Sequence, residues 1–205
     1  MAKHETRIAI VYHSGYGHTA KVAEHVRKGA AGVPGAVVTL YKAEDLAAPV
    51  KGPWDELARA DAIIFGAPTY MGSASGGMKL FMDAASKAWF TRAWANKMAA
   101  GFTVSGSLSG DKTVTLQQFA TFAAQQGMIW VSNDQPSGYN ATTTDFATAH
   151  NRAGHFLGLG VQALTDLPAD QTPDRYELET AERFGKRVSE ATLRWVLAPA
   201  QAEPA

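Results

Sequence analysis

Residues 8–11, Ile-Ala-Ile-Val, make an unbroken apolar run between Arg7 and Tyr12. A run rich in β-branched side chains and lacking alternation predicts a strand covered on both faces, at the centre of a parallel sheet. From Thr19 the period changes. Val22, Ala23, Val26 and Ala30 share one face at helical spacing, and Gly32, Pro34 and Gly35 stop that helix. Residues 36–41 predict a second strand and residues 54–60 a short helix. Residues 62–67 predict a third strand, with Pro68 as its stop, and the helix after it turns Leu80, Phe81, Ala84 and Ala88 inward. Residues 98–104 predict a fourth strand and residues 128–131 a fifth, with a helix between them marked by Leu116, Phe119, Ala120 and Ala123. Residues 132–172 show weak periodicity, an irregular excursion of a length that in a compact domain signals function. Pro173 opens a last helix, with Leu178, Ala181, Phe184, Val188 and Trp195 on one face.

Strands alternating with helices imply an α/β domain around a parallel sheet. Residues 1–197 read as one such domain, with no repeat and no linker, and "APAQAEPA" at 198–205 as a disordered tail. Right-handed crossovers leave few sheet orders. One is 2-1-3-4-5; another is a Rossmann half. In either, ligands bind outside the carboxyl ends of the strands, so the loops leaving the first, third and fourth strands matter most.

The first of these, "YHSGYGHTA", contains Gly15-x-Gly17-x-x-Ala20. That is the relaxed dinucleotide fingerprint, but the acidic residue it wants near the end of the second strand is misplaced, since Glu44 and Asp45 come late. Ser14 and Thr19 bracket the glycines instead. Backbone N–H groups at a helix start favour an anion, and hydroxyls add donors, so residues 14–19 predict a cradle for a terminal phosphate. The second loop, "PTYMGSASGGMK", sets bulky Tyr70 and Met71 among small residues, which suits the flank of a flat aromatic ligand. The third, "SGSLSGDK", offers small hydroxyls and flexible backbone from Ser105 onward.

Composition removes several other classes. Lys+Arg and Asp+Glu each number 19, so the formal net charge is zero and no basic stripe suggests nucleic acid. The same neutrality weighs against an electron carrier steered by charge. Cysteine is absent, which excludes disulfides, thiolate metal sites and a cysteine nucleophile. No apolar run suits a signal peptide or a membrane span, and a cytoplasmic protein is expected. No serine sits in a Gly-x-Ser-x-Gly frame. His150 and His155 do not share a helix face, and no metal site is expected. Trp89 and Trp94 read as core or as a subunit contact.

On Ser14-x-Tyr16-Gly17-His18, Phe65-Gly66-x-Pro68-Thr69, Ser75-Gly76, Phe81-x-Asp83, Trp89, Lys97, the Ser/Gly loop from Ser105, Gly127-Met128 and Ala181-x-x-Phe184-Gly185-x-x-Val188, the chain resembles the flavodoxin-like FMN proteins. It looks most like the WrbA-type NAD(P)H:quinone oxidoreductases and their NADPH-dependent FMN reductase relatives. The resemblance spans roughly residues 7–195 and implies a flavodoxin-like three-layer α/β/α sandwich, with a five-stranded parallel sheet in order 2-1-3-4-5. It implies FMN as cofactor and NAD(P)H as co-substrate, with a hydride passing to flavin N5 and then electrons to a quinone or similar small acceptor. By it, Ser14, Gly15, Tyr16, Gly17, His18 and Thr19 would hold the FMN phosphate. Pro68, Thr69, Tyr70, Met71 and Gly72 would border the ring, and Ser105, Gly106, Ser107, Leu108, Ser109 and Gly110 would meet its edge and the ribityl chain. Trp89, Gln126 and Tyr139 would line the acceptor side, Trp89 from a neighbouring subunit, in a homo-dimer or homo-tetramer. Two departures fall there: Tyr70-Met71 replace the family's Arg-Phe, and Gln126 replaces a histidine. A flavodoxin-type carrier or a non-catalytic FMN-binding protein is the alternative.

Overall fold

The computed structural model describes residues 5–198; apart from Ala198, the tail expected at 198–205 lies outside them. The elements follow the chain as β1 (Thr6–Tyr12), α1 (His18–Ala31), β2 (Ala36–Lys42), a 3-10 turn (Ala43–Leu46), α2 (Trp54–Arg59), β3 (Ala62–Tyr70), β4 (Ser73–Ala74), α3 (Gly76–Ala84), α4 (Ser86–Phe90), β5 (Met98–Ser105), α5 (Lys112–Gln125), β6 (Ile129–Trp130), a 3-10 turn (Phe146–Thr148), β7 (Leu159–Gln162) and α6 (Arg175–Leu197). The sheet runs β2-β1-β3-β5-β6 and is parallel along that path, with β4 hairpinned onto β3 and β7 parallel to β5. Counted by position, this is the expected 2-1-3-4-5 order.

Alternation along each central strand sends side chains to two cores. Ile8, Ile10, Ala62, Ile64, Phe102 and Val104 face α1 and α6, meeting Val22, Val26, Phe184 and Val188. Ala9, Val11, Ile63 and Phe65 face the other way, onto Leu57, Met78, Phe81, Trp94, Phe119 and Phe122. The second core is aromatic: Trp54, Phe81 and Trp94 stack with centroids 5.8–6.2 Å apart. Trp94 is therefore core, 1% exposed, rather than a subunit contact.

Four expectations shift. The fifth strand position is filled twice. Ile129–Trp130 pairs with Met98 and Ala99, the chain departs, and Leu159–Gln162 returns to pair with Phe102–Ser105. A four-residue strand is too short for periodicity to show, so it was hidden inside the 132–172 excursion. Pro68 does not stop β3, which continues to Tyr70. Strand β1 ends opposite Gly66, so no β1 residue pairs with Pro68; the returning hairpin needs only its carbonyl, which accepts from Ser75 N at 3.2 Å, and the missing N–H is tolerated. Leu80 is exposed, because Met78, Phe81 and Met82 set the inward face of α3; Trp195 is likewise half exposed. The last helix begins at Arg175, not Pro173, because Asp174 caps it by accepting from Tyr176 N and Glu177 N at 2.9 and 3.1 Å.

Most of the excursion does not roof the sheet edge. It lies along α6, held by Gln135 Nε2 and Asn151 N on Thr180 (3.0 and 3.1 Å), His150 on Glu179 (2.8 Å), and Arg187 on Ser132 O and Asp134 (2.7 and 2.8 Å). Only its last part, after β7, reaches the carboxyl ends of the strands.

Candidate functional site: a cavity at the carboxyl edge of the sheet

The first loop is built around Ser14. Its Oγ accepts from Gly17 N (3.2 Å) and Ala20 N (3.1 Å), which folds residues 14–20 onto the start of α1. Gly17 sits at φ 89°, a left-handed conformation that side chains resist. The turn leaves the N–H groups of Gly15, Tyr16, His18 and Thr19 without a protein acceptor among the described residues. No basic side chain fills that array. His18 Nε2 is bonded to Leu167 O (2.9 Å) and Lys21 Nζ to Asp170 O (3.1 Å), so both tie the loop to the segment after β7.

The second loop is a hairpin. Thr69 pairs with Ala74 and Tyr70 with Ser73, leaving Met71-Gly72 at the tip with φ of 47° and 79°. Two positive φ values mark the tight turn that favours Asn-Gly. Met71 is fully exposed there. Met71→Asn is therefore expected to raise stability by about 0.5–1 kcal/mol, checked by urea denaturation; unchanged or lower stability would show that Met71 makes contacts that offset its backbone strain. Thr69 turns its hydroxyl inward, to Thr103 and Thr115 at 2.8 and 2.7 Å, so only its backbone remains for a ligand. Tyr70 leans over the first loop: an added Cβ on Gly15 would lie 2.6 Å from its hydroxyl, and its ring meets Tyr16 edge-on at 6.4 Å.

Behind these loops, Ser75 Oγ lies 2.7 Å from His13 Nδ1, and His13 Nε2 lies 3.4 Å from Glu44. The order Ser-His-Glu resembles a hydrolase triad, but Ser75 is 2% exposed and does not line the cavity these loops form, so the array is a brace between three loops.

The third loop rests on Lys112, whose side chain is wholly buried and donates to Ser107 O (2.5 Å) and Leu108 O (3.2 Å). Burial pulls this ammonium down to about 8, opposed by the charge of Glu177. Glu177 is pushed up to about 7 by its own burial, opposed by Arg152, whose Nε lies 3.3 Å away. Arg152 also pairs with Asp174 at 2.7 Å. Burial, then the charge of Lys112, hold His155 below its ordinary value. Two opposite slopes follow. As pH rises to about 7, the folded protein keeps a Glu177 proton that the unfolded chain has released, so stability falls. As pH rises from about 8 toward the ordinary lysine value, the unfolded chain keeps a Lys112 proton that the folded protein has released, so stability recovers. The melting temperature is expected to sag between pH 7 and 8, and K112M/E177Q to flatten the sag; a profile unchanged in the double variant would locate the titration elsewhere.

These loops enclose a cavity of about 750 Å³ lined by Tyr16, His18, Thr19, Pro68, Tyr70, Val104, Ser105 and Gly106, with Ala163, Thr165, Asp166, Leu167 and Pro168 from the segment after β7. That size suits a small-molecule or cofactor site. Aromatic walls beside a row of unpartnered N–H donors fit a ligand with a flat ring and a phosphate. Residues 6–143 match the model of the NADPH-dependent FMN reductase family.

The chain belongs to that family.

Its relatives agree. Flavodoxin FldP of Pseudomonas aeruginosa (strain UCBPP-PA14) is 39% identical over 90% of this chain and 95% of its own. Quinone-oxidoreductase QR2 of Triphysaria versicolor is 31% identical over 92% and 96%. A flavodoxin, WrbA-like protein from Agrobacterium tumefaciens has a crystal structure that superposes with a TM-score of 0.70, at 35% identity, covering 93% of this chain and 99% of that one. As an FMN reductase family member this is a flavodoxin-like, WrbA-type oxidoreductase chain, with FMN as cofactor and NAD(P)H as electron donor. None of its described helices is long and apolar enough to cross a membrane, and no cluster of three His, Asp or Glu able to hold a metal ion occurs among the described residues.

In this FMN reductase family member the predicted residues divide into groups. Tyr16, His18, Thr19, Pro68, Tyr70, Ser105 and Gly106 line one cavity. Trp89 and Gln126 lie together in a different one, of about 430 Å³, between α3, α4 and α5. Gln126 is 3% exposed with Oε1 unpartnered, whereas Trp89 is half exposed. Tyr139 lines neither and packs edge-on against Phe146 at 5.3 Å. Within one chain these three residues do not meet the loops they were expected to serve. The wall at 163–168 is not among the residues the sequence singles out, because the strand that delivers it, β7, has only four residues.

Proposed function

We propose that this chain is an FMN-dependent oxidoreductase that draws electrons from NAD(P)H and passes them to a quinone or a similar small acceptor. The observation that carries this reading is the row of unpartnered N–H groups at Gly15, Tyr16, His18 and Thr19, opening on a cavity walled by Tyr16 and Tyr70. Ser14, Gly15, Tyr16, Gly17, His18 and Thr19 hold the FMN phosphate, through the N–H groups of Gly15, Tyr16, His18 and Thr19 and the hydroxyls of Ser14 and Thr19, with Gly17 setting the turn. A hydrogen bond to a charged group contributes about 1.5–3 kcal/mol, so several suffice without arginine. Pro68, Thr69, Tyr70, Met71 and Gly72 border the ring, Thr69 through its backbone. Ser105, Gly106, Ser107, Leu108, Ser109 and Gly110 meet its edge. When bound, FMN supplies the redox chemistry, exchanging a hydride with the nicotinamide and electrons with the acceptor. The chain's own part is to orient the ring, exclude water with the wall at 163–168, and leave one side open to the donor and acceptor in turn.

A second reading, a flavodoxin-type electron carrier, has the name of the 39% identical relative in its favour and the zero net charge against it. Anaerobic mixing of the FMN-loaded protein with NADH and with NADPH separates the two. Bleaching of the flavin absorbance by at least one nucleotide, and its return on adding a quinone, is expected. Resistance to both nucleotides, with ready bleaching by a chemical reductant, would favour the carrier.

A homo-dimer or homo-tetramer is part of the proposal. Trp89, Phe90, Leu80 and Met71 are exposed apolar side chains on the hairpin tip and on α3 and α4, a kind of surface that subunits cover. Trp89 and Gln126 then serve the cavity of a neighbouring copy. Light scattering of the FMN-loaded protein at micromolar concentration is expected to give a multiple of the chain mass; a single-chain mass would remove Trp89 and Gln126 from the acceptor site.

A further inference from the structure

The loop after β5 has its carbonyls bound from behind. Gly106 O accepts from Gln162 Nε2 (2.9 Å), Ser107 O and Leu108 O accept from Lys112 Nζ, and Ser109 O accepts from Lys112 N (3.1 Å). The N–H groups from Gly106 to Asp111 have no protein acceptor among the described residues. In a trans peptide unit the N–H points opposite to the C=O. The two units that Lys112 grips therefore turn the N–H groups of Leu108 and Ser109 away from the ammonium, in a loop whose first residues, Ser105 and Gly106, line the cavity. An ammonium on the carbonyl end of a peptide unit polarises it and strengthens its N–H as a donor.

The ammonium is also poorly neutralised. Lys112 has no carboxylate within 4 Å among the described residues, and the nearest acid to influence it, Glu177, is engaged by Arg152. An unpaired buried charge costs stability, and two carbonyls could be served by a neutral donor. The charge itself is thus the feature that a structural role leaves unexplained.

We propose that Lys112 is a positioning residue that tunes the bound cofactor: through the Ser107–Leu108 and Leu108–Ser109 peptide units it presents a positively polarised edge that favours the reduced over the oxidised FMN ring. The proposal rests on the reading that FMN occupies this cavity with its ring edge against residues 105–110. When a hydride leaves the nicotinamide, which becomes the oxidised nicotinamide cation, the ring gains two electrons and one proton and forms one new N–H bond. Its charge becomes more negative by one. Donors preset toward that charge, in a partly buried site, need no reorganisation as it develops. Glu177 from α6 and His155 from the excursion are the titratable groups that act on Lys112 from other elements, with Arg152 beside Glu177.

The test uses the full chain as wild type and as Lys112→Gln, which keeps a neutral donor and removes the charge. Dissociation constants for oxidised FMN come from fluorescence quenching, and midpoint potentials from dye equilibration between pH 6 and 10. K112Q is expected to bind oxidised FMN within about threefold of wild type, while its preference for reduced over oxidised FMN falls about tenfold. For a two-electron couple that is about 30 mV. The wild-type potential is expected to show an extra inflection near pH 8, where Lys112 titrates, that K112Q lacks and E177Q only displaces. An unchanged potential and pH slope in K112Q with FMN bound would overturn the proposal and leave the functional reading standing. If K112Q fails to fold, the wild-type profile decides, and a profile without the inflection overturns the proposal. Failure of the wild type to bind FMN would overturn the functional reading and the proposal with it.

Discussion

Replacing Gly185 by alanine is expected to cost this protein about 3 kcal/mol. Alanine in a helix interior is favoured over glycine by about 1 kcal/mol, so propensity alone predicts the opposite sign. The cost comes from the crossing of α1 and α6. A Cβ on Gly185 would lie 2.0 Å from Val26 O, and one on Gly29 would lie 1.8 Å from Glu182 O. Both obstacles are backbone, so no side chain can swing away, and the helices must separate along the core they share. At this chain length the melting temperature is expected to fall by roughly 10 °C. Gly76→Ala is the matched control, because a Cβ there meets nothing within 4 Å, and it is expected to gain a few tenths of a kcal/mol. Equal melting temperatures for G185A and G76A would show that α1 and α6 are not in backbone contact.

Ser14→Asp is expected to separate folding from cofactor binding. In the free protein an aspartate at this position accepts the same N–H groups, of Gly17 and Ala20, with a charge-assisted bond at a helix start, so the melting temperature stays or rises slightly. The FMN phosphate then meets a fixed anion. At about 4 Å and an effective dielectric near 20, like charges repel by about 4 kcal/mol, and part of that is relieved by local shifts. A loss in FMN affinity of at least about 100-fold is expected, with thermal stability preserved. Ser14→Ala is expected to lower both modestly. If S14D binds FMN as tightly as wild type in fluorescence titration, the phosphate is not held at residues 14–19, however well the rest of the fold is understood.

Periodicity made β1, α1, β3, β5 and α5 legible, because each is long and buries a continuous or regularly spaced apolar set. It failed where tertiary context outweighs local pattern. Pro68 reads as a stop, and only the early end of β1 beside it makes it acceptable within β3. Leu80 reads as core, and the phase of α3 is fixed instead by Phe81 joining the stack with Trp54 and Trp94. The phosphate loop was legible because glycines and hydroxyls at a strand-to-helix turn carry their own chemistry. Lys112 was not, since a lysine following an aspartate in a Ser/Gly-rich turn looks solvated, and its burial arises from α6 and from residues far along the chain. Residues 163–168 were hidden for the same reason: the strand that delivers them has four residues.

The divided fifth strand bears on the order in which the molecule assembles. Strands β1 and β3 each pair with two neighbours along the sheet, and β6 joins β5 through α5. Strand β7 pairs over four residues with β5 alone, at Phe102–Ser105, so its docking gains little until β5 is already in place, and it must still offset the entropy of ordering the excursion that precedes it. It therefore docks late, and the wall at 163–168 and the bonds from His18 and Lys21 complete the cavity only then. A cofactor that needs the finished cavity cannot accelerate folding; it holds the folded molecule shut. FMN should accordingly act on the unfolding rate, leaving the folding rate unchanged.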